Sequence, residues 1–274
     1  MKLFGSRGRN DDGQMTRPTL AQAMALYEAG RYAEAEAVAR AMASARSWSR
    51  EEAPRALGIA AAAMDAQGRY GEALATYDEL LPVFEGLFGA SYAETLALRS
   101  NRARTLTALG RHAECEAECV ALARVTARGR GLQMRILAAA ARNGLIYALN
   151  GQGRHSEAEV LAREVLAAHR LAGRFVLVLR LGLARSLNGQ GRHEEALAEA
   201  EHADELRRSL PEQECRPESG AVGLALATAL LGLGRSTEAR ALAATAHHAC
   251  LAAFGPDHRR TAEALALFDR IDGS

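Results

Sequence analysis

The sequence predicts an all-α fold, a solenoid of six helix-turn-helix pairs closed by a C-terminal capping helix, and three observations predict it. The first is a short phrase that recurs six times. It reads AGRYAEA at Ala29–Ala35, QGRYGEA at Gln67–Ala73, LGRHAEC at Leu109–Cys115, QGRHSEA at Gln152–Ala158, QGRHEEA at Gln190–Ala196 and LGRSTEA at Leu233–Ala239. Its glycines, Gly30, Gly68, Gly110, Gly153, Gly191 and Gly234, are 38, 42, 43, 38 and 43 residues apart, a period typical of stacked supersecondary units. The second is a longer echo. FGASYAET (Phe88–Thr95) and FGPDHRRT (Phe254–Thr261) lie 166 residues apart, the same distance as Gly68 to Gly234. The third is composition: aromatic residues are only 5%, while alanine dominates the 49% of apolar residues. Alanine favours helices and lets them approach closely, and the short alternating runs that mark strands are missing.

Each pair follows from the same local physics. A glycine after an alanine-rich segment stops the first helix, because it adopts a left-handed conformation without steric cost. Glutamate then opens the second helix, where the helix dipole favours negative charge. Seven residues before the glycine stand Ala23, Ala61, Ala103, Ile146, Ala184 and Ala227; five after it stand Ala35, Ala73, Cys115, Ala158, Ala196 and Ala239. Small side chains at both places, with Ile146 the exception, let the two helices of a pair meet. Leu26, Met64, Leu106, Leu149, Leu187 and Leu230, four before each glycine, fill the adjoining core layer.

On this register the first helices fall near residues 19–29, 53–67, 92–109, 132–151, 175–189 and 218–232. The second helices fall near 33–46, 71–87, 113–127, 156–171, 194–209 and 237–253. A last helix near 259–271 caps the array, which would otherwise expose an apolar face. Arg128–Gly131 and Pro211–Pro217 mark inter-repeat loops, not domain boundaries. Residues 1–18 are polar and glycine-containing and read as a disordered tail, so 19–274 form one solenoid domain.

The small residue before the turn, Gly-Arg-aromatic/His at the turn and Glu-Ala after it resemble the tetratricopeptide repeat (TPR). The spacing near 42 and the FGPDH phrase resemble the kinesin-light-chain-like subgroup, common in actinobacterial proteins. The resemblance implies a right-handed superhelix with a concave groove that binds peptides or partner proteins, and it covers nearly the whole ordered chain.

In such arrays the first helices line the groove. Positions 10, 6 and 3 before each turn glycine are Ser100, Arg104 and Thr107 in repeat three; Asn143, Tyr147 and Asn150 in repeat four; and Leu181, Arg185 and Asn188 in repeat five. Leu20, Met24 and Tyr27, then Gly58, Ala62 and Asp65, and finally Leu224, Thr228 and Leu231 make the ends more apolar. Asparagine is mildly unfavourable inside helices. Hydrogen bonds to a bound peptide backbone would explain three of them, and arginine would pair with an acidic side chain or C-terminal carboxylate. A solvated groove without a fixed partner is the competing explanation. Relatives that grip acidic chaperone tails use a lysine/asparagine/arginine clamp, which Leu20, Gly58, Ala97 and Ala140 do not match.

Other chemistry fares poorly. His112, Cys115 and Cys119 share a helix face, but both cysteines occupy small packing positions. His247, His248, Cys250 and His258 match no zinc spacing. GRGRG lacks the strand and the Lys-Ser/Thr of a phosphate loop. The basic stretch Arg124, Arg128, Arg130 and Arg135 lacks interleaved aromatics and reads as a solvated loop. With 34 basic and 33 acidic residues, no net field draws the chain to nucleic acid or membrane. Neither a signal-like segment nor an 18-residue apolar run appears.

The expectation is therefore a non-catalytic cytoplasmic scaffold that binds a protein or peptide, without metal or cofactor. Self-association through an uncapped end is compatible with the pattern. A regulatory peptide sensor, sequestering or releasing a second protein on ligand binding, is the alternative of a different class.

Overall fold

The computed structural model describes residues 18–44, 50–168 and 173–273; the tail expected over residues 1–18, apart from Pro18, and the ends of two second helices lie outside them. The described residues form helices α1 (Leu20–Glu28), α2 (Tyr32–Ser44), α3 (Glu52–Ala66), α4 (Tyr70–Phe88), α5 (Ala93–Ala108), α6 (His112–Thr126) and α7 (Leu132–Gly151). They continue as α8 (His155–Ala167), α9 (Arg174–Gly189), α10 (His193–Ser209), α11 (Glu212–Cys215), α12 (Ala221–Gly232), α13 (Ser236–Phe254) and α14 (Arg259–Asp272). Six hairpins and a capping helix result, a TPR-like α-solenoid. The loop expected between Pro211 and Pro217 instead winds into α11 and a 3₁₀ turn, Arg216–Glu218.

The turn phrase closes each first helix in one way. Gly30 has φ +78°; its N–H donates to the carbonyl of Tyr27, and Arg31 N–H reaches back to Leu26 at 2.9 Å. That pair of bonds satisfies carbonyls the helix end would leave orphaned, and it recurs at the other five turns. The arginine then grips the glutamate three residues on, as Arg31 does Glu34 and Arg192 does Glu195. Ala23, Ala35, Ala61, Ala73, Cys115, Ala158, Ala184 and Ala196 are all fully buried between the paired helices.

Stacking between repeats uses a second set of residues. Glu159 accepts hydrogen bonds from Gln190 Nε2 (2.8 Å) and Arg192 Nη1 (2.6 Å) of the next repeat and from Arg163 of its own helix (2.8 Å). Glu36 receives Gln67 and Arg69, and Glu116 receives Gln152 and Arg154, in the same way. Burial alone would raise the Glu159 pKa, but these donors outweigh it and hold it below the usual carboxylate value. The imidazole two residues after the turn glycine packs on a glycine of the following repeat: His112 on Gly151, His155 on Gly189 and His193 on Gly232.

First helices also pack on one another, α5 on α7, α7 on α9 and α9 on α12, so the stack curves. The curvature brings its ends together. Arg216 Nη1 donates to the Glu28 carbonyl at 2.8 Å, and the Arg259 N–H donates to the Tyr70 hydroxyl at 2.9 Å. A Cβ on Gly68 would lie 2.5 Å from the Asp257 carbonyl oxygen. Turns of repeats one and two thus touch segments flanking repeat six.

Candidate functional site

The concave face gathers arginines from repeats far apart in sequence. Arg104, with 52% of its side chain exposed, pairs with Asp65 at 3.2 Å. Asp65 is itself buried and accepts a hydrogen bond from Thr105 Oγ1 at 2.5 Å. Arg185 lies 3.2 Å from Glu263, its guanidinium 6.0 Å from the centre of the Tyr147 ring. Arg259 competes for the same Glu263 oxygen at 3.2 Å. Burial would raise the Glu263 pKa, but Arg259 and Arg185 more than offset it and keep the carboxylate charged. Beside them the buried Glu218 holds Arg174 at 2.9 Å and Arg260 at 3.1 Å. Two guanidiniums per carboxylate leave a local positive surplus. A cleft of about 250 Å³ opens here, lined by Arg185, Leu224, Thr228, Glu263, Leu267 and Arg270.

The residues singled out from the sequence separate into two groups. Arg185 lines this cleft with Tyr147 beside it, while Arg104 pairs with Asp65 from an earlier repeat. Ser100 is half-buried. Asn143 is half-buried too, its Oδ1 shielded and without a partner among the described residues. Thr107 is buried and donates to the Ala103 carbonyl and to Cys115 Sγ. Asn150 is also buried; its Nδ2 donates to Ser186 Oγ at 2.9 Å and Gly182 O at 3.3 Å. The Asn150 Oδ1 accepts from His155 Nδ1 at 3.0 Å, as the Asn188 Oδ1 does from His193 Nδ1 at 3.1 Å. Both asparagines therefore fix the imidazole that docks on the next repeat, which is a reason for their place in a helix that needs no ligand.

Asp65 stood among the positions read from the sequence as groove-lining; Glu218, Arg259, Arg260 and Glu263 did not. Two carried a signal: FGPDHRRT departs from FGASYAET by placing Arg259 and Arg260 where Ala93 and Glu94 stand. His258 opens α14 by accepting the Arg260 N–H on Nδ1 at 3.2 Å while its ring stacks on Phe254. Burial, with Arg260 and Arg259 nearby, pushes its pKa down to about 4. Cys115 and Cys119 lie 3.8 Å apart, buried between α6 and α7, and burial pushes the Cys250 thiol up to about 11.

A tetratricopeptide-repeat family model matches residues 16–41, 54–79, 96–124, 139–164 and 177–202, and a second tetratricopeptide-repeat model matches 224–260. The chain belongs to the tetratricopeptide-repeat family. Among solved structures this TPR protein is similar to a TPR protein from Parabacteroides merdae, at 16% identity and a TM-score of 0.62 over 91% of this chain and 82% of that one. It is also similar to nearly identical TPR-like repeats of a kinesin light chain from Podosopora anserina, at 20% identity and a TM-score of 0.54 over 69% and 93%. A third likeness is to Bacillus thuringiensis PlcR in complex with the peptide PapR7 and DNA, at 15% identity and a TM-score of 0.60 over 84% and 77%. No curated protein matches the chain significantly. Among the described residues, no helix is long and apolar enough to cross a membrane.

Proposed function

We propose that this TPR protein is a non-catalytic cytoplasmic scaffold, one continuous solenoid whose concave face holds a partner protein or extended peptide through acidic side chains or a C-terminal carboxylate. The observation that carries this reading is the sharing of Glu263 between Arg185 and Arg259, both at 3.2 Å. A ligand carboxylate would complete the second pair, and bidentate guanidinium contacts suit that group. Tyr147 beside Arg185 offers an apolar face to the ligand. Ser100, Thr107, Asn143, Asn150 and Asn188 belong to this proposal only as supports of the surrounding helices.

The test is capture from lysate of the native source with wild type and with Arg104→Ala/Arg185→Ala, each checked for helicity. The double variant should lose the partners that wild type retains. Retention of the same partners at equal yield refutes the reading.

The meeting of the array's ends favours a second reading, a peptide sensor. PlcR, similar in fold, is seen with a peptide. Here a ligand that displaced Glu263 would disturb α14 and with it the Arg259–Tyr70 contact, coupling occupancy to the opening of the coil. A short peptide co-purifying with the chain would favour this reading over a scaffold for one dominant protein.

A further inference from the structure

The edge between α6 and α7 behaves unlike the rest of the molecule. Elsewhere arginines are mostly paired: the turn arginines hold their own glutamates, and Arg55, Arg99, Arg102 and Arg180 reach carboxylates of neighbouring helices. Between Glu118 and Glu157 the sequence contains no acidic residue. Arg124, Arg128, Arg130, Arg135 and Arg142 all fall in that stretch. They are exposed, and among the described residues no carboxylate lies within ion-pair reach of any of them. Five uncompensated guanidiniums in a chain of net charge +1 make a local field that the overall balance conceals. Two large apolar side chains protrude among them: Leu132 is 65% exposed and Ile136 39%. A loop kept open only for solubility would not carry these.

We propose that this edge docks a polyacidic, amphipathic segment of a partner protein, separate from and independent of the concave face. Arg135 and Arg142 are two helical turns apart, roughly 10.5 Å, and Leu132 and Ile136 one turn apart on the same helix. That fixed spacing matches carboxylates and aliphatic side chains displayed on a facing helix. A phosphate backbone would match the charge but would leave Leu132 and Ile136 in water, and residues 119–142 contain no aromatic side chain on which bases could stack. Arginine's planar fork pairs with carboxylates bidentately, as it does throughout this chain. Gly129 and Gly131 let the loop carrying Arg130 follow the partner's surface, and Gly131 already has φ +94°.

The probe is a fluorescein-labelled peptide of two EELLEEL heptads, titrated with the full chain and followed by anisotropy at 50 and 200 mM salt. A labelled single-stranded oligonucleotide and vesicles of phosphatidylcholine with phosphatidylserine are titrated in parallel. Arg128→Gln/Arg130→Gln/Arg135→Gln should weaken peptide binding at least tenfold and flatten its salt dependence. Leu132→Ser/Ile136→Ser should weaken it several-fold with the salt dependence unchanged. Arg104→Ala/Arg185→Ala removes any binding of the acidic probe at the concave face and should retain the salt-dependent component that the triple arginine variant lacks, which separates this edge from the concave face. All of these residues are exposed, and unchanged helicity and urea midpoints confirm intact folds. Peptide affinity unchanged in the triple arginine variant overturns the proposal. Tighter binding of the oligonucleotide or vesicles than of the peptide at equal salt, or loss of peptide binding in the Arg104/Arg185 variant instead, does so as well.

Discussion

Replacing Gly189 by alanine tests how the repeats are held in step. An ideal Cβ there falls 2.5 Å from both Cγ and Cδ2 of His155, where carbon atoms prefer about 3.5–4.0 Å. The ring must therefore retreat by roughly 1 Å. It cannot do so freely, because Asn150 holds its Nδ1 at 3.0 Å and is itself tied to Ser186 and Gly182. Overpacking of this kind costs about 1–3 kcal/mol. Alanine in place of a helical glycine contributes about 0.5–1 kcal/mol in the other direction. Gly189→Ala should thus destabilise by about 1–2 kcal/mol. In a His155→Ala background the obstruction is gone, and the same substitution should stabilise by about 0.5–1 kcal/mol. Urea unfolding followed by circular dichroism on the four proteins reads the sign in each background. Hydrogen exchange at α8 and α9 guards against partial unfolding of the stack. If Gly189→Ala has the same sign and size in both backgrounds, the imidazole–glycine contact is not what couples these repeats.

Glu159→Leu should destabilise by about 2 kcal/mol, because Gln190 and Arg192 lose a buried acceptor. Adding Gln190→Leu should recover about 1 kcal/mol, and purely additive effects in urea denaturation would refute the pairing. His258 gives a pH dependence of defined sign. Its pKa falls from 6.5 to about 4 on folding, so between those values the unfolded chain binds the extra proton and stability decreases as pH falls. Urea midpoints should show that decline, and His258→Asn, which keeps a capping acceptor, should flatten it. Below pH 4.5 wild type should lose further stability as Glu159 and Glu263, both lowered in the fold, take up protons. Tyr70→Phe removes the acceptor of the Arg259 N–H and should cost about 1 kcal/mol. If exchange at the start of α14 is no faster in that variant, the contact between the array's ends contributes nothing.

The sequence by itself determined the repeat, its register and its packing small residues, because each is a local requirement written once per repeat. The interface pairing was written there too. The residue six after the turn glycine and the residue before the next one run Glu36–Gln67, Leu74–Leu109, Glu116–Gln152, Glu159–Gln190 and Leu197–Leu233, acid with amide or leucine with leucine throughout. It became readable only once the structure showed Gln190 reaching Glu159. The asparagines show the limit of periodicity. Position three before the glycine shares a helix face with Arg104 and Arg185, yet Asn150 and Asn188 turn sideways toward His155 and His193, because the following repeat offers a glycine with room for the ring. Only the tertiary structure decided that the ends meet and that α14 brings Glu263 to Arg185. Those contacts join residues 78 and 189 positions apart. They depend on small rotations accumulated over every intervening repeat, and no local pattern encodes that sum.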